Sequence, residues 1–250
     1  MTRIAILASG SGTNAENIVR YFTGHPTIQV ATVITNRRAA GVIDRLRPLG
    51  IEVEYFNKEH WADNTAVTSH LQQLGVDMVV LSGFLAMVGE PMLTAYAGRI
   101  VNIHPSLLPR HGGKGMYGHY VHESVLASGD KQSGITIHLV TDVPDGGPIV
   151  EQHTCPVMPD DTPDTLAARV HQLEYAYFTS RRASRQDLVI VCKHEGNVLN
   201  FIIGKCFACL GAFFSVPLRS QAEIIHTGML NRFTSARLSG LFLWICCAGQ

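Results

Sequence analysis

Apolar, β-branched runs alternate with segments of helical period through the first 178 residues. Residues 3–8, 28–34, 52–55, 78–81 and 100–103 read as strands, and residues 14–22, 42–49, 61–74 and 91–96 as helices. Ile4-Ala5-Ile6-Leu7 and Met78-Val79-Val80-Leu81 are apolar at every position rather than every second one. That is the pattern of strands buried on both faces, as in parallel sheets. Strand–helix alternation of this kind builds right-handed βαβ units. It predicts an α/β fold: an open, mostly parallel, twisted sheet of Rossmann-like form with helices on both faces. Two later runs, 135–140 and 148 onward, flank the turn-rich 142–147 and predict an antiparallel addition near 135–155. A last helix is predicted over 165–177, behind a Pro-Asp-Asp-Thr-Pro-Asp stretch suited to capping.

In such sheets ligands sit outside the carboxyl ends of the strands, at a switch in strand order. Strand one is followed by Ser9-Gly10-Ser11-Gly12-Thr13-Asn14-Ala15 and then a helix. Glycines permit the tight turn, and free N–H groups at the helix start favour a phosphate. The Gly10-x-Gly12-x-x-Ala15 spacing is also a loose dinucleotide fingerprint, and Arg37-Arg38 after strand two could take an NADP 2′-phosphate. An NADP-dependent oxidoreductase is therefore one alternative. A plain glycine-rich turn with a Thr or Asn cap is the structural one.

Val101-Asn102-Ile103-His104-Pro105 carries a stronger signal. Two residues apart on a strand, Asn102 and His104 point to the same face. An amide beside an imidazole suits oxyanion stabilisation and proton transfer, although spacing alone favours a hydrogen-bonded structural Asn-x-His. Thr141-Asp142-Val143-Pro144-Asp145-Gly146-Gly147 is a rigid turn presenting two carboxylates. A carboxylate near His104 is expected to favour the imidazolium and raise its pKa.

Taken together and in this order, Gly10-Ser11-Gly12-Thr13-Asn14, the run from Asn102 to Pro109, and the run from Thr141 to Pro148 resemble the phosphoribosylglycinamide formyltransferases, a folate-dependent family of purine biosynthesis. The resemblance covers residues 1–178. Asn102-Ile103-His104-Pro105 alone would indicate only the wider formyltransferase group. Methionyl-tRNA formyltransferases open differently, and formyltetrahydrofolate deformylases normally carry a regulatory domain ahead of this region. The resemblance implies transfer of a formyl group from 10-formyltetrahydrofolate to the amine of glycinamide ribonucleotide. It makes Asn102, His104 and Asp145 the catalytic set, with His104 an imidazolium kept protonated by Asp145. It also makes Gly12, Thr13 and Asn14 the substrate-phosphate loop, brings Gly83 near the substrate, and sets Glu174 on the substrate's ribose. Leu85, Ala86, Met87, Val88, Thr141, Asp142, Asn64 and Asn102 fall to the folate pocket. Asn64 and Ala86 each stand where a bacterial form has arginine, which puts polar folate contacts there in question. A glycine-rich insertion at 112–117 marks divergence within the family. No metal is implied.

Composition changes the picture at one point. The 250 residues carry 20 basic and 20 acidic side chains and are 46% hydrophobic, which excludes a disordered polypeptide and gives no reason to expect a nucleic-acid or membrane-surface partner. The start of the chain lacks the pattern of a signal peptide, so a cytoplasmic protein is expected. That average conceals a break: residues 1–178 hold 12 Lys and Arg against 17 Asp and Glu, whereas residues 179–250 hold 8 against 3 and five of the six cysteines. The expected organisation is a formyltransferase domain over 1–178 and an atypical tail over 179–250. The tail reads as a frameshifted or read-through translation, a lineage-specific extension, or a membrane anchor through the apolar stretch 198–218. If the tail replaces a closing helix, a non-catalytic folate or nucleotide binder is a second alternative. His119 and His122 form an H-x-x-H that usually marks a helix face, and Cys206 and Cys209 form a single C-x-x-C without a second pair.

Overall fold

The computed structural model describes residues 1–179 together with two strands in 191–202. The chain divides into two compact units, Met1–Ala183 and Ser184–Gln250. In the first, seven strands form one sheet: β1 (Thr2–Leu7), β2 (Ile28–Thr35), β3 (Val53–Tyr55), β4 (Met78–Leu81), β5 (Ile100–His104), β6 (Gln132–Leu139) and β7 (Ile149–Pro156). Their order is β3-β2-β1-β4-β5-β6-β7. The first five are parallel, and β6 and β7 add antiparallel. The order reverses between β1 and β4, so the carboxyl ends of those two strands frame a crevice. Backbone bonds stitch its floor: Ser9 donates to the Gly83 carbonyl at 3.1 Å and Ser82 to that of Leu7 at 2.8 Å.

The helices α1 (Thr13–Phe22), α2 (Gly41–Leu46), α3 (Thr65–Gln73), α4 (Glu90–Ala95), α5 (His119–Ala127) and α6 (Pro163–Thr179) complete this unit. Apolar residues of α3 and α4, among them Val67, Leu71 and Met92, join Ala5, Leu7, Val79 and Leu81 in one core. Val125 of α5 and Leu166 and Val170 of α6 join Ile103 and Ile135 in another. Each fully buried aliphatic side chain stabilises the fold by roughly 1.5–3 kcal/mol, which fixes the register of strands that carry polar chemistry at their ends.

Several boundaries differ from expectation. The third helix starts at Thr65 rather than near residue 61, because Asn64 adopts φ 63°, a left-handed conformation no helix can pass through. Pro48 lacks an amide hydrogen, and α2 gives way to a single 3-10 turn at Arg47–Leu49. Helix α5 is an additional element. Helix α6 opens with a reciprocal cap: Thr165 N–H donates to Thr162 Oγ1 at 3.2 Å, and Thr162 N–H to Thr165 Oγ1 at 2.9 Å.

In the second unit, β8 (Val191–Glu195) and β9 (Val198–Ile202) pair antiparallel. Strand β9 takes the first five residues of the apolar stretch 198–218. The rest of that stretch, the run 241–247 and the pair Cys206 and Cys209 lie outside the described residues. No helix among the described residues is long and apolar enough to cross a membrane.

Candidate active site

Strand β5 ends in the crevice with Asn102 half-buried and His104 3% exposed. The antiparallel register sets His138 of β6 opposite Asn102 and Thr136 opposite His104. Asp145, from the turn after β6, has φ 55°, and this uncommon backbone turns its carboxylate onto both rings. One oxygen lies 3.5 Å from His104 Nδ1 and the other 3.5 Å from His138 Nε2. Gly113 N–H donates to Asp145 Oδ2 at 2.9 Å. At its neighbour Gly112 a Cβ would come 2.3 Å from Leu108 Cδ2 and 3.2 Å from Asp145 Cβ, so a side chain there would displace Leu108 and crowd Asp145. The catalytic set named by the family resemblance is thus gathered in one place.

His104 Nε2 lies 2.7 Å from the His111 carbonyl oxygen. A carbonyl only accepts, so Nε2 carries the hydrogen and Nδ1 faces Asp145. Burial pushes the His104 pKa below its ordinary value, and the opposing pull of Asp145 and the His111 carbonyl does not restore it. This corrects the expected direction of the shift, since desolvation outweighs a carboxylate at 3.5 Å. Burial raises the Asp145 carboxyl, but the fields of His104 and His138 and the Gly113 N–H together hold it below the usual carboxylate range.

The supporting residues escaped the sequence reading. The ring of His111 is fixed by Ser124 and Asp130, each at 2.8 Å. Ser106 donates to the Arg110 carbonyl at 3.0 Å, and Thr136 donates to the Ser106 carbonyl at 2.6 Å. For Thr136 and His138 a signal existed: they alternate along Ile135–Val140 and so share a face.

Across the crevice, α1 begins without a side-chain cap. Gly12 occupies the cap position at φ 75°, and a Cβ there would lie 2.5 Å from Val42 Cβ. No Thr or Asn cap forms, so the N–H groups at the start of the helix are open to an anion. Thr13 and Asn14 are half-buried beside it. Asn14 Nδ2 donates to Glu174 Oε2 of α6 at 3.0 Å. Burial raises the Glu174 carboxyl, opposed by that hydrogen bond and by His171.

The segment after β4 alternates. Phe84, Ala86 and Val88 pack against the core that holds Trp61. Leu85 and Met87 stand 41% and 65% exposed, as does Val143 at 56% on the turn that carries Thr141 and Asp142. Ala86 and Val88 therefore turn at least partly away from the crevice. Asn64 is buried, with its amide committed inside: Nδ2 donates to the Trp61 carbonyl at 2.8 Å and Oδ1 accepts from Gly89 N–H at 2.6 Å. It braces this segment from behind. Gly83 lies exposed at the end of β4. Elsewhere, Arg38 stacks on Tyr55 at 4.6 Å. On α5, His119 pairs with Glu123 at 3.2 Å while His122 points into the core. No group of side chains among the described residues could hold a metal ion.

Residues 2–181 match the formyl transferase family. The phosphoribosylglycinamide formyltransferase of Haemophilus influenzae is 33% identical over 183 residues, covering 71% of this chain and 84% of its own length. The chloroplastic enzyme of that name from Vigna unguiculata is 38% identical over 199 residues, 78% of this chain and 64% of the other. Among solved structures, glycinamide ribonucleotide transformylase 1 from Symbiobacterium toebii superposes with a TM-score of 0.64 at 38% identity, over 70% of this chain and 82% of that one. Phosphoribosylglycinamide formyltransferase from Streptococcus pneumoniae gives 0.64 at 34% identity, over 72% and 96%. The open sheet, its antiparallel addition and these matches agree, and the chain belongs to the formyl transferase family.

Proposed function

We propose that this chain transfers a formyl group from N10 of 10-formyltetrahydrofolate to the primary amine of glycinamide ribonucleotide, a step of purine biosynthesis, in the cytoplasm, with residues 1–178 forming the domain responsible. The observation that carries the reading is the meeting of Asn102, His104 and Asp145 across from the open start of α1. The names of the relatives supply the formyl acceptor, and the folate donor rests on the sequence resemblance.

Gly12, Thr13 and Asn14 receive the substrate's phosphate, and Glu174 with Asn14 its ribose, bringing the amine past Gly83 toward His104. Leu85, Met87 and Val143 offer exposed apolar area to the folate ring system, flanked by Ala86, Val88, Thr141 and Asp142. Asn64 acts through the segment it braces. The amine attacks the formyl carbon, a C–N bond forms, and the formyl oxygen becomes an oxyanion to which Asn102 donates. The neutral His104 accepts the amine's proton, and Asp145 stabilises the imidazolium that results. The same proton passes to N10 as the carbon–N10 bond breaks, leaving tetrahydrofolate and the formylated amine. Side chains carry every proton, and no role falls to a metal.

A formyl-transfer assay with both substrates tests this directly. Product formation that depends on His104 supports it. Tight folate binding without product would mark a non-catalytic binder. Nicotinamide binding without formyl transfer would favour the oxidoreductase, against which Arg38, engaged on Tyr55, already weighs.

A further inference from the structure

His138 has no part in the chemistry above, yet it touches two of its members. It is 1% exposed, with Nε2 3.0 Å from Asn102 Nδ2. Its other nitrogen, Nδ1, lies 2.9 Å from the Leu139 carbonyl oxygen. A carbonyl oxygen accepts and cannot donate, so Nδ1 carries the ring's hydrogen. In the neutral ring Nε2 is then a bare lone pair, and it requires a donor. Asp145 Oδ1, at 3.5 Å, is an acceptor and cannot meet that need. The Asn102 amide nitrogen can. The reverse amide orientation would set Asn102 Oδ1 against the Nε2 lone pair, two acceptors face to face in a buried place, which costs about 1–3 kcal/mol.

From this geometry we infer that His138 is a positioning residue: its Nε2 lone pair locks the Asn102 amide in one orientation, spending one Nδ2 hydrogen and aiming the second at the oxyanion. The inference rests on the formyl-transfer reading, which makes Asn102 the oxyanion donor. It assigns His138 a purpose that neither ring nor amide reveals alone. The chain of influence runs from the Leu139 carbonyl through the tautomer to the amide and then to the reacting oxygen. An amide free to rotate would have to be oriented by the oxyanion as it forms, and the preorganisation of the donor would be lost.

The test compares His138→Phe, which keeps a ring but loses the acceptor, with His138→Gln, whose amide oxygen can replace it. The expected result is a fall in kcat of roughly tenfold to 10²-fold for His138→Phe with both KM values within about twofold, as mispositioning of a reacting group produces. His138→Gln should recover much of the loss. In an Asn102→Ala background, His138→Phe should add nothing. Unchanged kcat in His138→Phe, or an equal further loss in the Asn102→Ala background, overturns the inference; the latter would mean that His138 acts through Asp145. Nitrogen-15 NMR of the wild-type ring reads the tautomer without turnover or mutation. An Nδ1-protonated ring supports the inference and an Nε2-protonated one overturns it, even for a variant that fails to fold. Absence of formyl transfer by the wild-type chain would defeat the proposed function, while the tautomer would still decide the orientation of the amide.

Discussion

In the proposed mechanism Asn102 contributes an amide hydrogen where negative charge develops, and such a donor acts on the transition state more than on bound substrate. Asn102→Ala should therefore lower kcat by about 10²–10³ while leaving both KM values near those of the wild type. Steady-state kinetics check this, and a near-normal kcat would remove Asn102 from the mechanism. Asp145 makes a different prediction. Burial lowers the His104 pKa and Asp145 partly offsets it, so Asp145→Asn should lower that pKa further. Asparagine tolerates the φ of 55° at this position, so the backbone should hold. An NMR titration of His104 in the two proteins reads the displacement. A shift toward higher pH would show that Asp145 does not stabilise the imidazolium.

Elements supply what single residues cannot: they set distances between groups far apart in sequence. Asn64 ends a turn, starts α3 and holds Gly89 through its side chain. Asn64→Ala strands a half-buried N–H and a buried carbonyl and forces alanine into a left-handed backbone, a cost of about 1–3 kcal/mol. The folate KM should rise while the KM for glycinamide ribonucleotide stays, since α1 and α6 do not rest on Asn64. Equal increases in both would mean a general loosening. Gly12→Ala should do the reverse, because a Cβ 2.5 Å from Val42 Cβ displaces the start of α1 and weakens phosphate binding. This scale also explains what was legible in the sequence. Periodicity alone exposes the sheet, since Ile4–Leu7 and Met78–Leu81 leave no polar face to put in water. The Asn102 and His104 pair is visible because a strand's two-residue repeat is local. The contact of His138 with Asn102 and the part played by His111 are not visible in that way. One depends on antiparallel register across 36 residues, the other on a carbonyl oxygen that any residue would own. The direction of the His104 shift is hidden for a related reason: a sequence shows a neighbouring carboxylate, but burial is a property of the assembled fold.

At the scale of the whole molecule, buried imidazoles make stability depend on pH. His122 faces inward from α5, 3% exposed, with no hydrogen-bond partner at Nδ1, and burial together with the fields of His171, His119 and His104 pushes its pKa down to about 4. The unfolded chain titrates this ring near 6.5. Above that pH neither state binds the proton and the two compare on equal terms. Between about 6.5 and about 4 the unfolded chain binds a proton that the folded chain refuses, so stability falls as the pH falls. His104, also lowered, acts in the same direction, whereas Glu174, raised by burial, gains its proton in the folded state and opposes them. Asp145 and Asp161, held low, add their losses only at more acid pH. For His122 alone the loss between pH 7 and pH 5 amounts to roughly 2 kcal/mol. Urea midpoints for wild type and His122→Leu across that range isolate the contribution, because every other titrating group is common to both proteins. The variant should show the flatter profile, and parallel profiles would mean that His122 takes up its proton in the folded protein as readily as in the unfolded chain.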